Sequence, residues 1–383
     1  MLLLLEPEVM GLSTAYRLSK RGKKVCVLEQ SNSPSNLLGA SHGESRIIRL
    51  IHTDDVYVPM AIESYRLWRG LEHETGTKLY ENHGMLWLGD KEGSLERAGI
   101  LARYNAPHEL LNNQQINERY KHLNYDSKWY GVLDHTGGTI FARKCLEALK
   151  KASESQGVTF HYGQRMSSWE STGSKVKVVT SAQTFYAKTL VLAVGGWLEN
   201  TVKNLPVKVQ PVAVPVYFWD IADKSGGQCF DLDKRSPNLI ISDVWNDQEV
   251  FMIPNADYKG KVKFGVHTGE PFVIDSERPT NLIAVNRKVA QKHIQEHIKF
   301  LDTRAPSIEV GCLYANTPDK TFLIDKHPEH KNVILVTGFS GTGFKFGVGV
   351  GEIVSDLIDN QPPKINLASF SALRKISQPK PKL

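Results

Sequence analysis

Residues Leu12 to Glu29 constrain the fold more than any other stretch of the chain. Apolar side chains at Leu12, Ala15, Tyr16 and Leu18 mark one helix face, Lys20 and Arg21 fill the last turn, and Gly22 stands where a helix C′ residue belongs. The run Lys24-Val25-Cys26-Val27-Leu28 follows at once and ends in Glu29, which reads as a buried parallel strand. With Leu2 to Leu5 as a preceding strand, the pattern is a βαβ unit. Such a unit places an acid about 20 residues past a glycine turn, where Glu29 would hold a ribose hydroxyl of a dinucleotide. The glycine turn is altered: a G-x-G-x-x-G ending at Gly11 needs glycine at positions 6 and 8, and the chain has Glu6 and Glu8. Both bring bulk and negative charge to the place of a pyrophosphate. From these residues alone, a dinucleotide site and a plain βαβ core unit both stay open.

Two further apolar runs, Thr189 to Val194 before Gly195-Gly196 and Asn332 to Thr337 before a glycine-rich loop, read as strands of the same central sheet. Between them the texture changes. Val212 to Trp219, Leu239 to Ile241, Val250 to Ile253 and Val262 to His267 are separated by Gly, Asn and Asp clusters, which predicts an antiparallel meander and a second lobe. A helix is expected from about Leu282 to Leu301, with Val285, Val289, Ala290, Ile294, Ile298 and Leu301 on one stripe. The fold class expected is α/β, a Rossmann-type domain with an antiparallel-sheet lobe (α+β). Its domain organisation is read as a discontinuous nucleotide-binding domain (1–80, 140–205 and 305–370), a substrate lobe (81–139 and 206–304) and a tail (371–383).

Composition excludes several classes. Lys+Arg 47 against Asp+Glu 41 leaves +6, too mild a surplus for a binder driven by phosphate neutralisation. No run approaches the roughly 20 apolar residues that cross a bilayer. The four cysteines, Cys26, Cys145, Cys229 and Cys312, show no CxxC pair, so neither a metal knuckle nor a disulfide scaffold is expected, and the chain reads as intracellular. Met1 to Leu5 lacks a basic region and breaks at Glu6-Pro7-Glu8, so no secretory leader is expected.

Four segments could carry chemistry. Gly338-Phe339-Ser340-Gly341-Thr342-Gly343-Phe344-Lys345 joins the strand ending at Thr337 to an apolar helical stretch, Val348 to Ile358. A turn of this kind exposes backbone N–H groups to an electron-rich group, and Lys345 adds a cation; close helix packing is the alternative use of its glycines. Ser41-His42-Gly43-Glu44-Ser45-Arg46-Ile47-Ile48-Arg49 carries two arginines whose spacing fits neighbouring positions of a helix or opposite faces of a strand. Lys263 and His267, four apart in a strand, share a face. Cys312 on local grounds is a small buried hydrophobe.

Taken together, SHGESRIIR, VKFGVHTG, GCLYANTPDKTFLIDKHPEH and GFSGTGFKF, in this order and at these separations, resemble the monomeric sarcosine oxidase and peroxisomal sarcosine (L-pipecolate) oxidase family. The resemblance implies an FAD amine oxidase of the glutathione-reductase-like type that oxidises secondary-amine amino acids (sarcosine, L-pipecolate, L-proline) to the imine and reduces O2 to hydrogen peroxide. It implies covalent flavin on Cys312, a carboxylate clamp of Arg49 and Lys345, Arg46 beside the flavin ring, and Lys263 assisting the oxygen step. His267 is implied over the substrate, with Tyr314 bordering the pocket. Gly11, Glu29, Ser41, His42, Gly338, Gly341 and Gly343 complete the expected cofactor contacts. Thr342 stands where the family commonly has His, and Phe251 where the bacterial enzymes carry Tyr, so both point to altered substrate choice. The alternatives are a fructosyl-amino-acid or N-methyltryptophan-type oxidase, and a flavin-free, non-catalytic relative because of Glu6 and Glu8. Since the similarity begins at Met10-Gly11, an incomplete or alternative first exon is expected before it. The ending Pro381-Lys382-Leu383 is similar to a peroxisomal Ser-Lys-Leu signal with Pro in place of the small residue, which points to the peroxisome ahead of the cytosol. A monomer acting on a small amino acid and O2, without nucleic-acid or membrane partners, is the expectation.

Overall fold

The computed structural model describes residues 2–5, 8–32, 38–52, 54–223, 226–234 and 236–376; Glu6 and the terminal Pro381-Lys382-Leu383 lie outside the described residues. Leu2–Leu5 runs in the middle of a sheet whose order is Leu323–Lys326, Val333–Thr337, Thr189–Leu192, Leu2–Leu5, Val25–Leu28, Thr159–His161. Neighbours are parallel except the edge strand Leu323–Lys326, which is antiparallel to Val333–Thr337. The strand Val25–Leu28 is apolar throughout because both its faces are covered. Val25 and Val27 pack with the helix Val9–Lys20, whereas Cys26 and Leu28 pack with Val176, Val178 and Phe185 of a three-stranded meander on the other side.

The first helix begins at Val9, three residues before the apolar stripe announces it, with the Leu12 N–H donating to the Glu8 carbonyl at 2.9 Å. Its end follows the expectation. Gly22 adopts φ +71°, its N–H donates to Ser19 O at 2.9 Å, and the Lys23 N–H reaches Leu18 O at 3.0 Å, a Schellman closure that satisfies the last carbonyls.

A second sheet carries the other lobe. Gln210–Asp220, Lys261–Val266, Gln248–Ile253 and Asn238–Asp243 form the antiparallel meander, and Met85–Gly89, Tyr130–Asp134 and His108–Asn112 extend it. One pairing departs from the antiparallel expectation: Asn238–Asp243 runs parallel to Met85–Gly89, joining segments far apart in the chain. The helix expected to reach Leu301 stops at His297. Ile298 turns extended and forms a bridge with Leu123, and Leu301 bridges Ile221, so their apolar side chains enter the core from a strand-like segment. Val285, assigned to the buried stripe, is exposed.

The strand Ile308–Asn316 ties the two sheets together. It pairs along its whole length with Gln210 to Phe218 of the strand Gln210–Asp220, with Cys312 opposite Val214, and its end meets the glycine turn after Thr337, where the Ser340 N–H donates to Ala315 O at 3.0 Å. Behind that turn the helix Gly347–Asp359 is wedged between the helices Val9–Lys20 and Tyr57–Thr75. Glycines permit the approach. A Cβ on Gly351 would lie 2.6 Å from the Ser13 backbone carbonyl, and one on Gly349 2.5 Å from Ser64 Oγ. Arg17 and Arg21 close the rim of this contact on Glu352, Asp356 and Asp359. Because backbone cannot retreat as a side-chain tip can, Gly351→Ala is expected to destabilise the protein by about 1–3 kcal/mol, read as a lowered midpoint in urea or thermal unfolding.

Candidate active site

The loop and strand from Ser41 to Arg49 supply the first wall. Arg46 lies in the strand Ser45–Ile48 and Arg49 one residue beyond it, and both line the same inner cavity. Arg46 is spent on its own loop: it donates to Ala40 O at 3.0 Å, His42 O at 2.6 Å and Ser45 O at 2.8 Å. Arg49, 4% exposed, has no hydrogen bond or ion pair from its guanidinium among the described residues. Burial, reinforced by the charge of Arg97, pulls the Arg49 guanidinium down to about 10, with Asp134 and Glu249 opposing.

The second wall is the turn after Thr337. Gly338, Ser340 and Gly341 all have positive φ, and a Cβ on Gly341 would strike the Tyr314 ring at 2.6 Å, so glycine is required there by both conformation and space. The turn leads through Phe344–Phe346 into the helix Gly347–Asp359 and points Lys345 inward. Its backbone carbonyl accepts from Trp68 Nε1 at 2.9 Å, and its Nζ donates to Thr342 O at 2.8 Å. Lys345 is 4% exposed and forms no ion pair among the described residues. Burial and the nearby Arg49 push its ammonium well below the ordinary lysine value.

The roof comes from the second sheet. Lys263 and His267 line the cavity together, as their spacing requires. His267 Nδ1 is 3.1 Å from the Tyr314 hydroxyl, and its ring centroid is 5.0 Å from that of Phe251. Burial first, then the charges of Arg49 and Lys345, push the imidazole to about 3, so it is neutral at physiological pH. Cys312 faces the same space. Burial alone would raise its thiol. The hydrogen bond from His42 and the charges of Arg46, His42 and Lys263 outweigh that and bring it below the ordinary value. His42, held through Nδ1 by Gly39 O at 2.7 Å, is raised in turn, chiefly by its bond to Cys312. The pair therefore leans towards imidazolium and thiolate.

Not every predicted residue reaches this cavity. Gly11 lies inside the first helix turn, Gly338 sits beneath the glycine turn against Thr317, and Glu29 is buried at the end of Val25–Leu28, where its Oε1 accepts from the Ser31 N–H at 2.7 Å. Thr342, Tyr314, His267 and Ser340 line both the inner cavity and an outer one that continues past Lys208, Asp319 and Lys320. The inner and outer spaces thus share a boundary at Thr342. Sequence reasoning missed His52, buried against Phe346 and near Arg49 and Lys345, and Asp257, which pairs with Lys263. Asp257 left one usable signal, a carboxylate in the hairpin just before a strand lysine.

A model of the family described as FAD dependent oxidoreductase matches residues 9–357. The chain is 31% identical to the peroxisomal sarcosine oxidase of Homo sapiens over 96% of this chain and 94% of that protein. It is 28% identical to the monomeric sarcosine oxidase of Bacillus sp. (strain B-0618) over 95% and 93%. Among solved structures, NikD, an amino acid oxidase essential for nikkomycin biosynthesis, superposes with a TM-score of 0.84 at 20% identity, covering 98% of each chain. The L-proline dehydrogenase of P. horikoshii gives 0.79 at 18%, covering 97% and 96%. These two likenesses are of fold.

Most of the residues fit a flavin dinucleotide. A second cavity, lined by Leu28, Gln30, Arg165 and Val194, lies next to the inner one at residues 193–195, both at the carboxyl ends of the parallel strands where a dinucleotide is held in folds of this kind. The inner cavity is mainly apolar and ends at a thiol of lowered pKa. The misfit is Glu8. Its carboxylate occupies the cradle beside the first helix N-terminus, accepting from the Ser41 N–H at 3.2 Å and Ser41 Oγ at 3.4 Å, and a Cβ on Gly39 would overlap its Oε1. Burial raises the Glu8 carboxyl above the usual range, Ser41 and His42 opposing. Glu8→Gly is therefore expected to tighten FAD binding by at least about tenfold, roughly 1.4 kcal/mol, in a flavin-fluorescence titration. A diphosphate prefers the protonated carboxyl, so affinity of the unaltered protein rises as pH falls through the raised pKa, and this dependence disappears in Glu8→Gly.

Proposed function

From the premise that the chain belongs to the FAD-dependent oxidoreductases and, within them, to the sarcosine oxidase family, we propose that it oxidises secondary-amine amino acids such as sarcosine, L-pipecolate or L-proline. The observation that carries this reading is the pair Arg49 and Lys345: two buried cations from two walls of one cavity, neither with an ion-pair partner among the described residues. Buried charge without compensation is costly, so the arrangement calls for an anion of substrate size, and an α-carboxylate supplies it. Held there, the amino acid has its orientation set by two fixed points, which converts binding energy into alignment of the reacting carbon. His267 meets the substrate nitrogen as a neutral imidazole, so it orients the free amine without competing as a cation. Phe251 and Tyr314 close the apolar sides of the space. FAD, when bound, accepts the hydride equivalent from the carbon beside nitrogen and passes the electrons to O2, giving imine and hydrogen peroxide. Lys263 supplies a cation where negative charge develops in the oxygen step. His42 lowers the Cys312 thiol towards the thiolate, the form that a thioether to the flavin requires.

The outer cavity that adjoins the inner one at Thr342 favours a second reading, in which the N-substituent is bulkier than methyl, as in fructosyl-amino acids or N-methyltryptophan. A peroxide assay over a panel of these amines decides between the two. The peroxisome is the proposed location, supported by the peroxisomal names of the human and mouse relatives. No helix among the described residues is long and apolar enough to cross a membrane.

Removing either cation tests the clamp. Arg49→Met or Lys345→Met is expected to lower kcat/KM about 10- to 100-fold, the worth of one charged hydrogen bond at about 1.5–3 kcal/mol, with most of the loss in KM. Because the Lys345 ammonium is depressed, KM of the unaltered enzyme rises as pH increases through that lowered value, and Lys345→Met lacks this limb. The flavin link has its own test: acid-denatured protein keeps its yellow colour on the polypeptide, and Cys312→Ser releases it to the supernatant.

A further inference from the structure

Lys263 differs from the other two buried cations in having a dedicated counter-ion. The residues between the strands Gln248–Ile253 and Lys261–Val266 fold back so that an Asp257 carboxylate oxygen lies 2.5 Å from Lys263 Nζ, the side chains being 7% and 4% exposed. Ser45 binds both partners: its hydroxyl donates to the other Asp257 oxygen and accepts from Lys263 Nζ at 2.9 Å, and its carbonyl accepts from Nζ at 3.3 Å. Three acceptors therefore use the three donors of the ammonium. The remaining surroundings are mixed. Arg46, on the strand that carries Ser45, repels the ammonium; Cys312, from Ile308–Asn316, attracts it as a thiolate; and the Phe218 ring of Gln210–Asp220 has its centroid 5.4 Å from Nζ.

We infer that Asp257 is a positioning residue for Lys263: with Ser45 it forms a buried carboxylate–ammonium–hydroxyl triad that fixes a cation in the wall of the inner cavity. Asp257 acts through the lysine, since it does not line the cavity itself. Burial first, and Arg46 after it, favour the neutral amine and hold Lys263 below the ordinary lysine value even with Asp257 opposing them, so loss of the carboxylate lowers it further. The inference rests on the proposed role of Lys263 only for its catalytic consequence.

The test uses full-length protein with lysine labelled at 13Cε, the Lys263 resonance being assigned by its loss in Lys263→Met. In flavin-free protein, Asp257→Asn is expected to move the Lys263 titration down by at least about two pH units, Asp257→Glu to restore most of it, and Ser45→Ala, which keeps the charge, to give a smaller shift of the same sign. In flavin-loaded protein studied by stopped flow, Asp257→Asn slows reoxidation by O2 at least about tenfold at pH 8 and less at pH 6, while flavin reduction by substrate changes less than about twofold. An unmoved Lys263 titration in Asp257→Asn overturns the triad; should that variant not fold, an unmoved titration in Ser45→Ala does so. A shifted titration with an unchanged oxygen step leaves the triad standing and removes the oxidase role given to Lys263.

Discussion

Electrostatic compensation inside one cavity organises this molecule. Three cations, Arg49, Lys263 and Lys345, are nearly withdrawn from water within a single space. Each would be a liability in a closed core. One is neutralised by the fold itself, through Asp257, and the other two form no ion pair among the described residues, which is the ground for proposing an anionic ligand there. In the proposed reading, this division separates a charge that is always present from charges that an arriving anion would compensate. Burial first, then the charges of Arg49 and Lys345, keep His267 neutral in their midst, while the Cys312 thiol is lowered by the His42 hydrogen bond and the charges of Arg46, His42 and Lys263.

The frame that makes this possible is the seam between two sheets. The strand Ile308–Asn316 belongs by hydrogen bonding to the large sheet, yet it receives the glycine turn of the parallel one. Cys312 and Tyr314 are therefore presented from one sheet to residues presented by the other, and Gly341 lets the turn lie flat on the Tyr314 ring. The glycines of Gly347–Asp359 then draw that helix against Ser13 and Ser64, which sets the depth at which Lys345 enters.

Much of this was legible in the chain. The central strands are uninterrupted apolar runs because both faces are covered, and Gly22 marks a helix end by a conformation few other residues adopt. Lys263 and His267 share a wall because a strand repeats every two residues. What stayed hidden is relational. Nothing near Ile298 or Leu301 says that they will bridge to Leu123 and Ile221 instead of prolonging a helix. The spacing of Arg46 and Arg49 did not decide their fate: one is absorbed by loop carbonyls and the other left bare, a difference made by Ala40 and His42. The His42–Cys312 pair joins positions far apart in the chain, and only the family resemblance pointed to that cysteine.

The polarised sulfur has a cost in time. Thiolates react with peroxide to form sulfenic acid, and deeper oxidation is irreversible. Under the proposed chemistry, a polypeptide whose Cys312 has not yet taken up its prosthetic group would meet the peroxide made by sister molecules, and its lowered thiol is a group that peroxide attacks. Under the proposed thioether, maturation and spoilage would compete for the same electron pair, and the bond to the ring would end that vulnerability.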